Sequence, residues 1–180
     1  MRARARRFNN LTESMKIICF SQIAGEIKMI LKGDSSLLNN KKPFFIPDWS
    51  KDVRMTPCVV LRVSRMGKNI GMKFASRYFD AIALGVNIYA ADYMSLGDWT
   101  RGYAFDFSLP IGSWMGIEEN PWQDLVLGMN EAIEKASEVM TIRQGDLIVI
   151  DRQIASRQLN KEELIEVYHN NNEMLYCKIK

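Results

Sequence analysis

Between Arg54 and Met115 the chain alternates long apolar runs with short polar breaks, and that rhythm predicts a β-rich centre. In Thr56–Arg65, Val59, Leu61 and Val63 alternate with Cys58, Val60, Arg62 and Ser64, and Met66-Gly67-Lys68-Asn69 reads as the closing turn. Within Trp99–Met115, Gly102, Pro110 and Gly112 interrupt the aromatic and apolar residues where a pleated strand could not continue, so the backbone is expected to turn across a core. Upstream, Lys16–Phe20 reads as a first strand. Ala24–Lys32 has the spacing of a short amphipathic helix, with Ile23, Ile27, Ile30 and Leu31 on one side. Pro43–Pro47 is an extended piece fenced by prolines. Phe74–Gly85 has helical intervals, and Ala83–Tyr89 is an apolar strand. In the last third, Asn120-Pro121 opens a helix to about Met140, with Leu125, Met129, Ala132, Ile133, Ala136 and Met140 as its stripe. Arg143–Asp146 is a turn, and Leu147–Asp151 is a continuous apolar strand of the buried kind. Asn160–His169 reads as helical or loop-like, and Glu173–Lys180 as a final strand.

Composition narrows the picture. At 180 residues, 47% hydrophobic and 25% charged, the chain can bury one sizeable core, so residues 15–180 are expected to form a single domain. The net charge of +3 lies wholly in residues 1–14, where Arg2, Arg4, Arg6 and Arg7 face only Glu13. That distribution argues against a nucleic-acid face. Three readings of residues 1–14 stand side by side: a start assigned too early, with Met15 the true beginning; a disordered basic tail; or an organelle-targeting peptide. Cys19, Cys58 and Cys177 are odd in number and far apart, and read as reduced thiols. No run reaches the roughly 18 apolar residues of a membrane span. The expectation is a cytoplasmic protein with neither a nucleic-acid nor a membrane partner.

Phe105-Asp106-x-x-x-Pro110-Ile111-Gly112, with Gly67-Lys68-Asn69-Ile70 upstream and Met140–Ile148 downstream, resembles the fumarylacetoacetate hydrolase family. The likeness covers roughly Met15 to Ile150. It implies an α+β fold, a mixed β-sheet rolled into a barrel-like core with peripheral helices. It also implies a divalent cation, held in the family by a Glu-x-Glu pair on one strand and an Asp on the next. Alternate residues of a strand share a face, so such a pair can converge on one ion. Aligned on those motifs, the two Glu positions fall on Thr56 and Cys58, and the Asp position falls on Asn87 or its neighbour Ile88. The family's catalytic Lys falls near Tyr103, with Arg101 the cation nearby. The loop after Phe20 offers no His, and the turn expected after Leu147–Ile150 is replaced by Asp151-Arg152-Gln153-Ile154.

These departures imply a diverged relative that keeps the scaffold and a pocket for a small keto-acid, bounded by Thr56, Cys58, Asn87, Tyr103 and Arg101, without metal-dependent hydrolysis. No cofactor is expected on that reading. The alternative is an active hydrolase, isomerase or decarboxylase acting on a diketo acid of the fumarylpyruvate, acylpyruvate or 2-hydroxyhepta-2,4-diene-1,7-dioate type. It would need Mg²⁺ or Mn²⁺ on a rearranged set, for which Asp92, Asp98 and Asp106 are the fallback ligands. A third reading is a dimeric structural or interaction protein. Relatives are commonly homodimers, and Trp114–Ile117 is the expected contact surface. His169, the only histidine, lies in a polar run and reads as a surface residue. No Gly-rich phosphate loop and no Ser-centred nucleophile elbow is present.

Overall fold

A computed structural model describes residues 15–180; the readings for residues 1–14 lie outside them. Seven strands follow one path through a mixed sheet. Strand β1 (Ile17–Ile23) pairs antiparallel with β2 (Glu26–Lys32) and parallel with β7 (Leu147–Asp151). The path continues through β4 (Val53–Val63), β5 (Phe79–Ala90) and β6 (Leu109–Met115) to β3 (Leu37–Asn39). A two-residue strand, β8 (Arg157–Gln158), pairs with the start of β4. A separate hairpin, β9 (Leu164–His169) with β10 (Asn172–Lys178), packs across the sheet. Its backbone comes so close to β6 that a Cβ on Gly112 would sit 2.2 Å from the carbonyl oxygen of Met174. The Pro-Ile-Gly motif therefore serves a close crossing of two backbones.

Helices are few and short: α1 (Met72–Ala75), α2 (Ala91–Ser95), α3 (Trp99–Tyr103) and α4 (Met129–Val139). Only α4 lays a sustained apolar face on the sheet, burying Ala132, Ile133 and Ala136. No helix among the described residues is long and apolar enough to cross a membrane.

Strand alternation sorts the sheet into two faces. Ile18 and Phe20, Val59 and Leu61, Ile82 and Leu84, and Ile148 and Ile150 pack together beneath α4. Their neighbours Ile17, Cys19, Cys58, Val60, Ala83, Leu147 and Val149 form a second cluster with Tyr103 on the opposite face. The turn before β7 is pinned by Asp146, which is buried. Its carboxylate takes the amides of Lys16 (2.9 Å) and Arg143 (2.7 Å) and pairs with the Lys16 ammonium at 2.6 Å.

Four expected elements differ. Ala24–Lys32 is not a helix: Glu26–Lys32 is β2, reached through a two-residue turn in which Ala24 (φ 52°) and Gly25 (φ 83°) both take positive φ. That is the hairpin turn whose twist matches paired strands. Asn160–His169 is likewise mostly strand, joined to β10 through Asn170 (φ 49°) and Asn171 (φ 63°). Helical structure in Phe74–Gly85 is limited to the end of α1, because β5 begins at Phe79. The helix expected from Asn120 starts at Met129, and the preceding residues form neither helix nor regular strand, with Leu125 bridged to Arg152. In the expected contact segment, Trp114 is 38% exposed, Met115 is buried and Ile117 packs into the core.

Candidate active site

Where β1, β4, β5 and β7 lie side by side, the second face of the sheet stops being apolar. Ser21 follows Cys19 on β1, Asp151 follows Val149 on β7, Thr56 precedes Cys58 on β4, and Asn87 stands opposite Thr56 on β5. All of these side chains are buried. Asn87 sits at the centre. Its Nδ2 donates to both carboxylate oxygens of Asp151, at 2.9 and 3.2 Å, and to Ser21 Oγ at 3.1 Å. It also donates to the Tyr103 hydroxyl, which shares a further hydrogen bond with Ser21.

Lys32, the last residue of β2, closes the cluster. It is only 3% exposed, and its ammonium donates to the carbonyl oxygens of Ile88 (2.9 Å) and Tyr103 (2.6 Å) and to Ser108 Oγ (2.8 Å). It also lies 4.3 Å from the centroid of the Tyr103 ring. Burial shifts every ionisable group here towards its neutral form. Loss of solvent drives the Asp151 carboxyl up to about 7, against hydrogen bonds from Ser21 and Asn87 and the positive charge of Lys32. The same desolvation brings the Lys32 ammonium down to about 8 and pushes the Cys19 thiol up to about 12. It holds Cys58 and Tyr103 well above their ordinary ranges.

Asp151 also forms part of the wall of a cavity of about 380 Å³, which is lined further by Gln22, Thr56, Tyr89, Arg152 and Ser156. Arg152 is fixed there: Nε and Nη2 meet the Asp124 carboxylate at 2.9 and 2.8 Å, and the guanidinium stacks 4.9 Å from the Trp122 ring. This wall includes the Asp151-Arg152-Gln153 segment, at the position where the resemblance implied a different turn.

Of the expected pocket residues, Thr56, Asn87 and Tyr103 belong to one polar cluster. Cys58 stands on the same face as Thr56, fully buried, with its sulfur among apolar neighbours. Arg101 does not join them. It is exposed, pairs with Asp98 at 3.5 Å, lies 5.7 Å from the Tyr93 ring and borders a different groove beside Trp49. The fallback acids are also employed elsewhere. Asp92 accepts from Ser50 Oγ and the Lys51 amide, Asp98 caps α3 through the Arg101 amide, and Asp106 is exposed in the turn before β6. Among the described residues, no group of three or more His, Cys, Asp or Glu side chains is arranged to hold a metal ion.

The donors at the expected metal positions do not fit such an ion. They are a hydroxyl, a thiol whose proton is held far more tightly than usual, and an amide, with one carboxylate and one ammonium in the same cluster. A hard divalent cation needs several oxygen anions around it. Lys32 and Asp151 are the residues the sequence reading missed. Asp151 is the lone charge at the end of the apolar strand Leu-Ile-Val-Ile-Asp, which is the available signal; Lys32 shares its strand with Glu26 and Lys28 and stands out by no such pattern.

No family model and no curated protein matches the chain. Solved structures do. A 2-hydroxyhepta-2,4-diene-1,7-dioate isomerase from Mycobacterium marinum superposes with TM-score 0.80 at 18% identity, covering 92% of this chain and 74% of its own. A fumarylpyruvate hydrolase from Pseudomonas aeruginosa, in complex with Mn²⁺ and pyruvate, gives 0.79 at 14%, covering 91% and 88%. A protein assigned to the fumarylacetoacetate hydrolase family from Yersinia pestis CO92 gives 0.79 at 16%, covering 92% of each chain. At such identities the likeness is one of architecture, and its content is that this chain has the fumarylacetoacetate hydrolase fold.

Proposed function

We propose that this protein is a diverged relative of the fumarylacetoacetate hydrolases that binds a small oxo acid without metal-dependent catalysis. The observation that carries the reading is the make-up of the hollow around Asn87. Where the family resemblance calls for converging carboxylates, the chain has Thr56, Cys58 and Asn87, and the only carboxylate among the cluster's hydrogen bonds is Asp151. An internal ammonium, Lys32, already lies in that cluster. The ligand class is taken from the similar structures, one of which holds pyruvate. It also fits the polar lining of the cavity, where Gln22, Thr56, Tyr89 and Ser156 offer hydrogen-bonding groups to a small oxo acid.

Thermal unfolding tests this. Pyruvate and oxaloacetate, titrated in the presence of EDTA, are expected to raise the melting temperature saturably; at a hundred times Kd one site adds about 2.7 kcal/mol. Mg²⁺ and Mn²⁺ are expected to leave it unchanged, with no stoichiometric metal in the purified protein. Saturable stabilisation by Mn²⁺ that disappears when Asp92, Asp98 and Asp106 are changed to Asn would instead establish a metal-dependent enzyme. No response to any oxo acid would favour an interaction protein.

A further inference from the structure

We infer that Asp151 is the proton-transferring residue of a metal-free enolising site, which takes a small oxo acid in the cavity walled by Thr56, Tyr89 and Arg152. This rests on the oxo-acid reading above and adds a reaction to it.

The argument begins with placement. Asp151 is almost wholly buried, yet it lines a polar cavity of about 380 Å³, which puts it beside a ligand that enters while shielded from bulk water. Every element packed around it brings polar or titratable groups: Cys19 and Ser21 from β1, Lys32 from β2, Thr56 and Cys58 from β4, Asn87 and Tyr89 from β5, and Tyr103 from α3. None of these is a second carboxylate. An acid in such a setting holds its proton near neutral pH and can both take and return one, which a general acid–base needs.

The step conserves atoms and charge. The Asp151 carboxylate removes a proton from the carbon beside the oxo group. The C–H electron pair becomes a carbon–carbon double bond, and the carbonyl π pair moves onto oxygen. Burial holds the Tyr89 phenol in its neutral form, so its O–H can hydrogen-bond that developing enolate oxygen on the cavity wall. Protonated Asp151 then returns the proton, either to the same carbon or, in a conjugated acid, to a more distant one, which shifts the double bond. No oxidant, reductant or second substrate is required.

Asn87 explains how both states of Asp151 are tolerated. Its Nδ2 donates to the carboxylate, while its Oδ1 is buried without a hydrogen-bond partner, an arrangement that normally costs free energy. A half-turn of the amide would present Oδ1 to a protonated Asp151, so this positioning residue can bond the acid before and after proton transfer.

Proton NMR in D₂O, with EDTA present, tests the inference by following hydrogen–deuterium exchange at the carbon beside the oxo group of pyruvate and 2-oxobutyrate. Exchange above the buffer rate is expected, saturating with substrate and rising with pH through a midpoint near 7. Asp151→Asn should lower it by ~100-fold or more, and Tyr89→Phe by a smaller factor. Asn87→Ala should move the midpoint upward, because the carboxylate takes the Asn87 amide on both oxygens whereas the neutral acid can give it a single bond; a merely structural role would lower the rate without moving it. Should Asp151→Asn not fold, the wild-type pH profile and the Asn87→Ala shift decide the matter. Oxo acids that raise the melting temperature but exchange no faster than in buffer would overturn the inference and leave the binding reading intact. Oxo acids that do neither would overturn both.

Discussion

One sheet with two faces offers its own control. On the α4 side, Ile18, Val59, Leu61, Ile82, Ile148 and Ile150 meet Ile133 and Ala136, and nothing there must be ionised or hydrogen-bonded. On the other face of the same strands, Ser21, Thr56, Asn87 and Asp151 are also buried but polar, and Lys32 joins them from the edge strand β2. The same strands thus hold a face that can only stabilise the fold and a face whose charges oppose it, since moving an ion out of water costs more than its pairing returns unless the geometry is excellent. The difference locates function. A chain that needed only a scaffold would have carried the apolar pattern through Asp151 and Lys32.

The largest expected effect is on the apolar face. Ile133→Ala, at a fully buried position where α4 meets the sheet, should cost about 2–5 kcal/mol in urea-induced unfolding through lost transfer energy and the cavity left behind. A loss below about 1 kcal/mol would show that α4 is not the anchor of this face.

Next comes the polar face, whose contribution depends on pH. Folding raises the Asp151 carboxyl from its ordinary 3.8 to about 7, so between those values the folded state binds the extra proton. Stability from this group is therefore complete below about pH 4 and declines as pH rises to about 7, a change on the order of 4 kcal/mol for the shift. Asp151→Asn cannot titrate. Subtracting the variant's unfolding free energy from the wild type's across pH 4–8 should give a falling curve, and other titrating groups largely cancel in that difference. A flat difference would place Asp151 in a wetter setting than its burial indicates.

Lys32→Met probes how far the two charges are joined. The ammonium draws the Asp151 carboxyl downward, so its removal should shift the falling window to higher pH, an effect of the order of 1 kcal/mol at neutral pH. The variant also strips the donor from the carbonyls of Ile88 and Tyr103, a loss that stays constant below about pH 7, where Lys32 keeps its proton. The two consequences separate in the same titration.

How much of this could be read from the chain alone also divides along the sheet. Leu147–Asp151 and Thr56–Arg65 were legible as strands because apolar runs with β-branched residues between turn signals admit little else. The motifs Gly67–Ile70 and Phe105–Gly112 were legible as scaffold, and the structure assigns Gly112 to the crossing beneath β10. Both hairpins were missed for one reason: their turns are Ala24-Gly25 and Asn170-Asn171, two-residue connections that leave almost no break between strands. In β2, Ile27, Ile30 and Leu31 happen to fit a helical period over so short a stretch. That error hid Lys32, which as a helical residue would face solvent and as the end of β2 faces Tyr103. Asp151 ends a legible strand, but spacing alone does not show that its side chain meets Asn87. Thr56, Asn87 and Tyr103 could be placed together because alignment to motifs needs only spacing, whereas Ser21 and Lys32 reach that cluster only through side-chain contacts distant in sequence.

The smallest effect tests whether position on a face, and not membership of an element, sets the cost. Glu131 lies on α4 two residues before Ile133 and pairs with Lys135 at 3.7 Å, both side chains being largely open to water. Such pairs contribute about 0.3–0.5 kcal/mol at most, because water screens the charges and ordering two long side chains costs entropy. Glu131→Ala should therefore alter unfolding by no more than that, with the difference vanishing at high salt and no change in the pH dependence assigned to Asp151. If it instead cost as much as Ile133→Ala, α4 would owe its place to its surface charges, and the contrast between an apolar face that holds the fold and a polar one that opposes it would fail at its better-understood end.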